Sequence, residues 1–136
     1  GDAFYLGIGS DHTDRDLEKR KDVAAAKSSC PKVLGTTVVP CTAESSAQLW
    51  HRSSISCWSD GHPYQRGALA QMLTPLHIWR VLTESLGTMA HDVVVYLGTL
   101  PLIVPEFRYG KHWEVELAFP DGLTLRHAYD VLVERP

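Results

Sequence analysis

Asp11, Arg15 and Glu18 are the residues whose types and spacing could do chemistry. On a helix, Arg15 and Glu18 are three apart and share a face. Asp11 sits four residues before Arg15, in the turn that leads into that helix, and can point the same way. The helix mouth would then carry a carboxylate, a guanidinium and a second carboxylate. Such a cluster is either a capped, salt-bridged helix start or the floor of an active site.

The elements that must position these groups can be read in order. Asp2 to Gly9 predicts a strand, buried along its apolar run from Phe4 to Gly9. Thr13 is placed to cap a helix running to about Ser29, with Asp14 and Asp16 in its first turn and Pro31 ending it. Lys32 to Val39 is rich in Val and Thr and predicts extended chain, closed by Pro40. Thr42 to Trp50 predicts a short helix. His51 to Trp58 and Tyr64 to Leu69 predict a hairpin around Ser59–Pro63, with Ile55 and Cys57 on one face and Ser54, Ser56 and Trp58 on the other.

Thr74-Pro75 reads as a cap followed by an N1 proline, and Leu76, Trp79, Leu82 and Leu86 recur at helical spacing up to Gly87, a stripe that predicts core. His91-Asp92 leads into Val93 to Leu97, a β-branched run that predicts a buried central strand. Gly98 to Gly110 reads as a loop. His112 to Phe119 alternates Trp113, Val115, Leu117 and Phe119 on one face, turns at Pro120-Asp121-Gly122, and returns over Leu123 to Glu134. About seven strands with two or three helices predict an α+β fold with one mainly antiparallel or mixed sheet system.

The 136 residues make a single domain of ordinary globular composition, 44% hydrophobic and 21% charged. The net charge of −3 offers no field for nucleic acid or anionic lipid, and the Lys19-Arg20-Lys21 run is offset by acidic neighbours. The longest apolar run, Val93 to Val104, holds Gly98 and Pro101 and is too short to span a bilayer. Three cysteines without CxxC spacing fit a reduced, cytoplasmic protein. A chain that starts at Gly1-Asp2 without Met reads as trimmed or partial. His51, His62, His77, His91 and His112 show no zinc-binding spacing. No serine elbow or Cys/His arrangement points to a covalent nucleophile.

Three segments, in order, resemble the fumarylacetoacetate hydrolase superfamily. Ser10-Asp11-His12-Thr13-Asp14-Arg15-Asp16-Leu17-Glu18 is similar to its Asn-Asp-x-Ser/Thr-Ala-Arg-Asp-x-Gln signature. Pro31-Lys32-Val33-Leu34-Gly35-Thr36-Thr37-Val38-Val39-Pro40 is similar to its Gly-Lys-Ser-Phe-Gly-Thr-Thr-x-x-Pro segment, and Leu97-Gly98-Thr99-Leu100-Pro101 to its Gly-Thr loop. The Ser-Asp-His-Thr-Asp-Arg string, with His127-Ala128-Tyr129-Asp130-Val131 near the end, resembles an uncharacterised branch.

The resemblance implies a distorted β-roll and an enzyme that cleaves, hydrates, decarboxylates or isomerises a small oxo-acid or β-dicarbonyl compound. It implies Mg2+ or Mn2+ held by carboxylates, chelating the substrate and stabilising its enolate. Asp11 would be the metal ligand, with Arg15 orienting its carboxylate. Lys32 would meet the substrate, with Lys27 as the alternative because loop length leaves the register open. Gly98 and Thr99 would contact the substrate. Glu18 stands where the family has Gln, so it becomes an acid/base group or an extra ligand. His12 is a candidate ligand or base; His127 and Tyr129 read as core or rim.

The family's upstream Glu-x-Glu metal pair is missing, and Glu114 and Glu116 lie on the C-terminal strand, facing solvent by alternation. Two other readings therefore stand beside the enzyme. One is a catalytically degenerate small-molecule-binding or subunit protein. The other is a metal-independent lyase, isomerase or cyclase using Glu18, Lys32 and His12. Open edge strands and the surface aromatics Trp50, Trp58 and Trp113 predict a homodimer or higher oligomer. Asp11, Arg15, Glu18, Lys32 and Thr99 are expected to share one pocket.

Overall fold

A computed structural model describes residues 4–87 and 93–132. The fold is α+β, built from two antiparallel sheets rather than one. The first is a ribbon of β1 (Phe4–Asp11) and β2 (Lys32–Cys41). The second is four-stranded, in the order β4-β3-β5-β6, from β3 (Ser54–Ser59), β4 (His62–Ala68), β5 (His112–Ala118) and β6 (Thr124–Asp130).

Alternation sets the core. Trp113, Val115 and Leu117 of β5, Leu125 of β6 and Cys57 of β3 point to one face of the large sheet and are buried. Leu6 and Ile8 of β1 meet them from the ribbon, and Trp50 of α3 (Ala43–Arg52) closes the cluster. A two-stranded ribbon alone is marginal in water, so this packing is what holds β1 and β2 in place. Ile55 and Cys57 share the core side, as their alternation predicts. The β3–β4 turn is tighter than Ser59–Pro63: Asp60 and Gly61 both have positive φ, at 49° and 77°, the geometry of a two-residue hairpin loop.

Several boundaries differ from the sequence reading, each for a local reason. The helix expected from Thr13 to Ser29 is two short helices, α1 (Arg15–Lys19) and α2 (Val23–Ser28). Lys21 takes a left-handed φ of 66° between them, and Asp22 caps the second by accepting from the Ala25 amide. Asp14, not Thr13, caps the first; it accepts from the Asp16 and Leu17 amides. Helix α3 begins at its Thr42 cap but runs through His51 to Arg52, so β3 starts at Ser54. Pro40 lies inside β2, opposite Tyr5, which an edge of the ribbon tolerates.

Helix α4 (Pro75–Leu86) has its Thr74 cap and N1 proline, and Gly87 ends it at a φ of 72°. Its apolar stripe is not core, because no residue of α4 is buried. Trp79 sits edge-on to Phe4, and Leu86 is 64% exposed. Val93 to Leu97 is not a buried central strand: it pairs in no sheet, and Val93, Val94 and Val95 are exposed. An all-apolar run carries no periodicity to separate a central strand from a surface segment. Trp50 and Trp113 are buried, which leaves Trp58 as the only partly exposed member of the aromatic set invoked for an oligomer. The ends of the first and last predicted strands, residues 2–3 and 133–134, and the His91-Asp92 lead-in lie outside the described residues.

Candidate functional site

Strand alternation splits the end of β1 into two jobs. Ser10 turns toward the large sheet, where its side chain hydrogen-bonds Tyr129 of β6. Asp11 turns to the other face, opposite Lys32 at the start of β2. The Lys32 ammonium sits 2.8 Å from one oxygen of the Asp11 carboxylate. The Lys27 ammonium, from α2, donates to the other. Lys32 also donates to the His12 carbonyl.

Lys27 reaches Asp11 because the chain reverses at Lys21. That corner brings α2 back beside α1, and the Asp14 amide donates to the Ala26 carbonyl at 3.0 Å. A continuous helix would have carried Lys27 about 20 Å along its axis from the mouth. Partial burial pushes the Asp11 carboxyl up, but the bonds and charges of Lys27 and Lys32 outweigh it and hold its pKa below 3.8.

Arg15 does not pair with Asp11. Its Nη1 donates to Glu18 at 2.6 Å, and its guanidinium lies over the Phe107 ring, 4.8 Å from the centroid. Glu18 is thereby committed to Arg15. The two form a pair beside the Asp11 cluster rather than part of it.

His12 lies between the ribbon and the large sheet. Its ring meets Tyr129 at 5.3 Å and Trp113 at 6.0 Å, both edge-on. Its Nε2 is buried without a hydrogen-bond partner. Burial first, then the charges of Lys32 and Arg15, hold the His12 pKa below 6.5, so the imidazole is neutral at pH 7. His127 stacks on Tyr129 at 6.0 Å, on the inner side of β6. Burial pushes the Tyr129 hydroxyl up to about 12.

A lowered histidine pKa makes a signed prediction. The unfolded chain binds the His12 proton more readily than the folded one. Stability from this group is complete above about pH 6.5 and falls as pH drops from there through the folded-state value. Urea unfolding at pH 7.5 and 5.5 checks it. The loss of stability on acidification should shrink in His12→Phe; an unchanged loss would show that His12 is free to ionise in place.

Thr99 does not join the cluster. It is exposed and accepts a hydrogen bond from Gln65 of β4 at 2.8 Å, next to the exposed Gly98. What comes to the site from that segment is Tyr96. Its hydroxyl donates to the Val33 carbonyl at 3.0 Å, and its titration feels both Asp11 and Lys32. Sequence reasoning missed Tyr96, although it is the one polar aromatic in an aliphatic run. It also ranked Lys27 behind Lys32, since a continuous helix hides their convergence.

The donor set of these residues does not fit a hard divalent ion. Mg2+ and Mn2+ want about six oxygens. Asp11 supplies one carboxylate, and two ammonium groups already neutralise it. Among the described residues, no three His, Cys, Asp or Glu side chains gather where they could hold an ion. Glu114 and Glu116 are on the opposite face of the large sheet from Trp113; Glu116 pairs with Arg126 at 2.5 Å and Glu114 lies 3.8 Å from His112. Chemically, then, the cluster is an ammonium pair on a shared carboxylate, with a neutral imidazole behind it. It can attract an anion and stabilise negative charge on oxygen.

A family model described as a protein of unknown function matches residues 1–129. No curated protein and no solved structure matches the chain. Among the described residues, no helix is long and apolar enough to cross a membrane.

Proposed function

The chain belongs to the DUF2848 family, so its activity has to be argued from its own residues, and we propose that it is an enzyme acting on a small oxo-acid or β-dicarbonyl compound by stabilising an enolate. The observation that carries this is the Asp11 carboxylate bracketed by Lys27 and Lys32. The resemblance of the Ser10–Glu18 and Lys32–Pro40 segments to the fumarylacetoacetate hydrolase superfamily supports the same chemistry.

In this reading the two ammonium groups bind the substrate's carboxylate and the oxygen that becomes the enolate. Asp11 holds them apart at a fixed spacing. The neutral His12 imidazole, buried against Tyr129 and Trp113 behind the ribbon, anchors the backbone whose carbonyl receives Lys32. Arg15 fixes Glu18 and, lying on Phe107, walls one side. No step is routed through Mg2+ or Mn2+, because the described donors do not fit either ion. Cys30, Cys41 and Cys57 are free thiols, which supports a cytoplasmic setting. Exposed apolar side chains such as Leu73, Val81 and Leu86 support a homodimer. Sedimentation at micromolar concentration should give twice the chain mass; a single-chain mass would reject the dimer.

The test is a panel of acylpyruvates and 2-oxo-dicarboxylates, followed by loss of enol absorbance, with and without a chelator. Turnover that persists in chelator is the expected result. Turnover lost in chelator and restored by Mn2+ would overturn the ammonium mechanism. A second reading, a binding protein without turnover, is favoured by one observation: Thr99 is turned to Gln65 instead of the cluster. Binding of oxalate with no turnover across the panel would decide for it.

A further inference from the structure

The face of the ribbon that carries Asp11 and Lys32 continues as an apolar floor. Gly9 pairs with Leu34, Gly7 with Val38 and Tyr5 with Pro40, all in the outward register of Asp11 and Lys32. A cleft of about 1020 Å³ adjoins this floor, walled by the Val93–Gly98 segment, by Ile78, Trp79 and Leu82 of α4, and by the core residues Trp50 and Phe119. Among the described residues, no charged side chain lines it. Its lining includes Leu34 and Val38, which are 53% and 50% exposed, and Val94, which is 61% exposed.

Gly9 marks where the cleft meets the charged cluster. A methyl group there would come 2.5 Å from the Val33 carbonyl oxygen and 3.1 Å from the Tyr96 ring. Tyr96 therefore lies directly on the ribbon backbone at Gly9. It touches the cleft on one side and feels Asp11 and Lys32 on the other. A volume of this size is at the upper end for small-molecule sites. A three- or four-carbon oxo-acid would leave nearly all of it empty. Leu34 and Val38, solvent-facing on the strand that begins at Lys32, match a guest with an anionic head and an apolar body.

We infer that the site takes an amphiphilic oxo-acid, its carboxylate and oxo group at Lys27 and Lys32 and its alkyl or aryl body reaching past Tyr96 along Leu34, Gly7 and Val38. This rests on the reading of the Asp11 cluster as an oxo-acid site, and it names the substrate class that reading leaves open. The body would gain by leaving water at about fourfold per buried methylene.

The probes are 2-oxobutanoate and 2-oxodecanoate, titrated by calorimetry into wild type, Lys32→Met and Val38→Glu. The longer acid should bind wild type at least roughly tenfold more tightly. Val38→Glu should abolish that advantage, since it puts a carboxylate beside the apolar body. Lys32→Met should weaken both acids. If the two acids bind equally and Lys32→Met weakens both, the amphiphile inference fails and the oxo-acid reading stands. If neither acid binds at millimolar concentration, both fail. Tight binding of 2-oxodecanoate that ignores Lys32→Met would also overturn the inference, because the head would not be at the lysines.

Discussion

Lys32→Met should lower kcat/KM on the accepted oxo-acid by about 10²–10³, the effect of deleting one donor that faces developing oxyanion charge. The Lys32 ammonium is placed for this: it touches Asp11 at 2.8 Å and also holds the His12 carbonyl, so it links the carboxylate to the imidazole-bearing residue. Methionine keeps most of the stem and removes only the charge. Stability should change by less than about 1 kcal/mol, because the ion pair is partly solvated and Lys27 still neutralises Asp11. Lys27→Met should cost less activity, since Lys27 is the more exposed of the two and makes no bond to His12. Steady-state kinetics with parallel thermal melts separates the two effects. A drop in activity matched by a comparable collapse in melting temperature would make Lys32 a structural residue only.

Trp113→Ala should be the most destabilising single change in the chain, by about 4 kcal/mol. Trp113 is buried, packs edge-on to Tyr64 at 5.1 Å, and donates its indole N–H to the Gly110 carbonyl at 2.9 Å. It therefore ties the loop before β5 to the sheet and forms the wall behind His12. For a chain of this length that loss lowers the melting temperature by about 14 °C. Trp113→Phe keeps the ring and loses the bond to Gly110, for about 1 kcal/mol. Thermal unfolding by circular dichroism reads both. A melting shift of only two or three degrees in Trp113→Ala would show that the site's back wall is not part of the core.

The legible parts of this fold are those with period and punctuation. Trp113, Val115, Leu117 and Phe119 alternate, and all four are buried. Thr74-Pro75 and Gly87 bracket α4 because caps act through local hydrogen bonds. Burial of the α4 stripe does not follow, since amphipathicity shows that a face is apolar and not that anything covers it. The reversal at Lys21 is illegible because a lysine at positive φ has no composition signal, and α1 and α2 read as one helical run.

The site follows the same division. Asp11 and Lys32 meet by strand register, which adjacent segments make foreseeable. Lys27 meets them only through the corner. Arg15 and Glu18 do share a helix face, as three-residue spacing dictates, yet they satisfy each other. Thr99 follows a surface segment whose apolar run mimics a central strand, so its expected direction has no physical basis.

The corner at Lys21 also sets where the molecule opens first. Apart from Ala26, no residue of α1 or α2 is buried, and neither helix adds a side chain to the main core. The five and six residues of these helices are too short to persist without tertiary support. Amide hydrogens of α2 should exchange through a local opening that leaves β3, β5 and β6 intact, whereas those of β5 wait for global unfolding. One ammonium of the pair thus rides on a unit with its own low opening free energy, and the other is fixed to the ribbon. A bound anion that spans both would couple the two, and its presence would be read as slowed exchange in α2 long before any change in the melting of the whole chain.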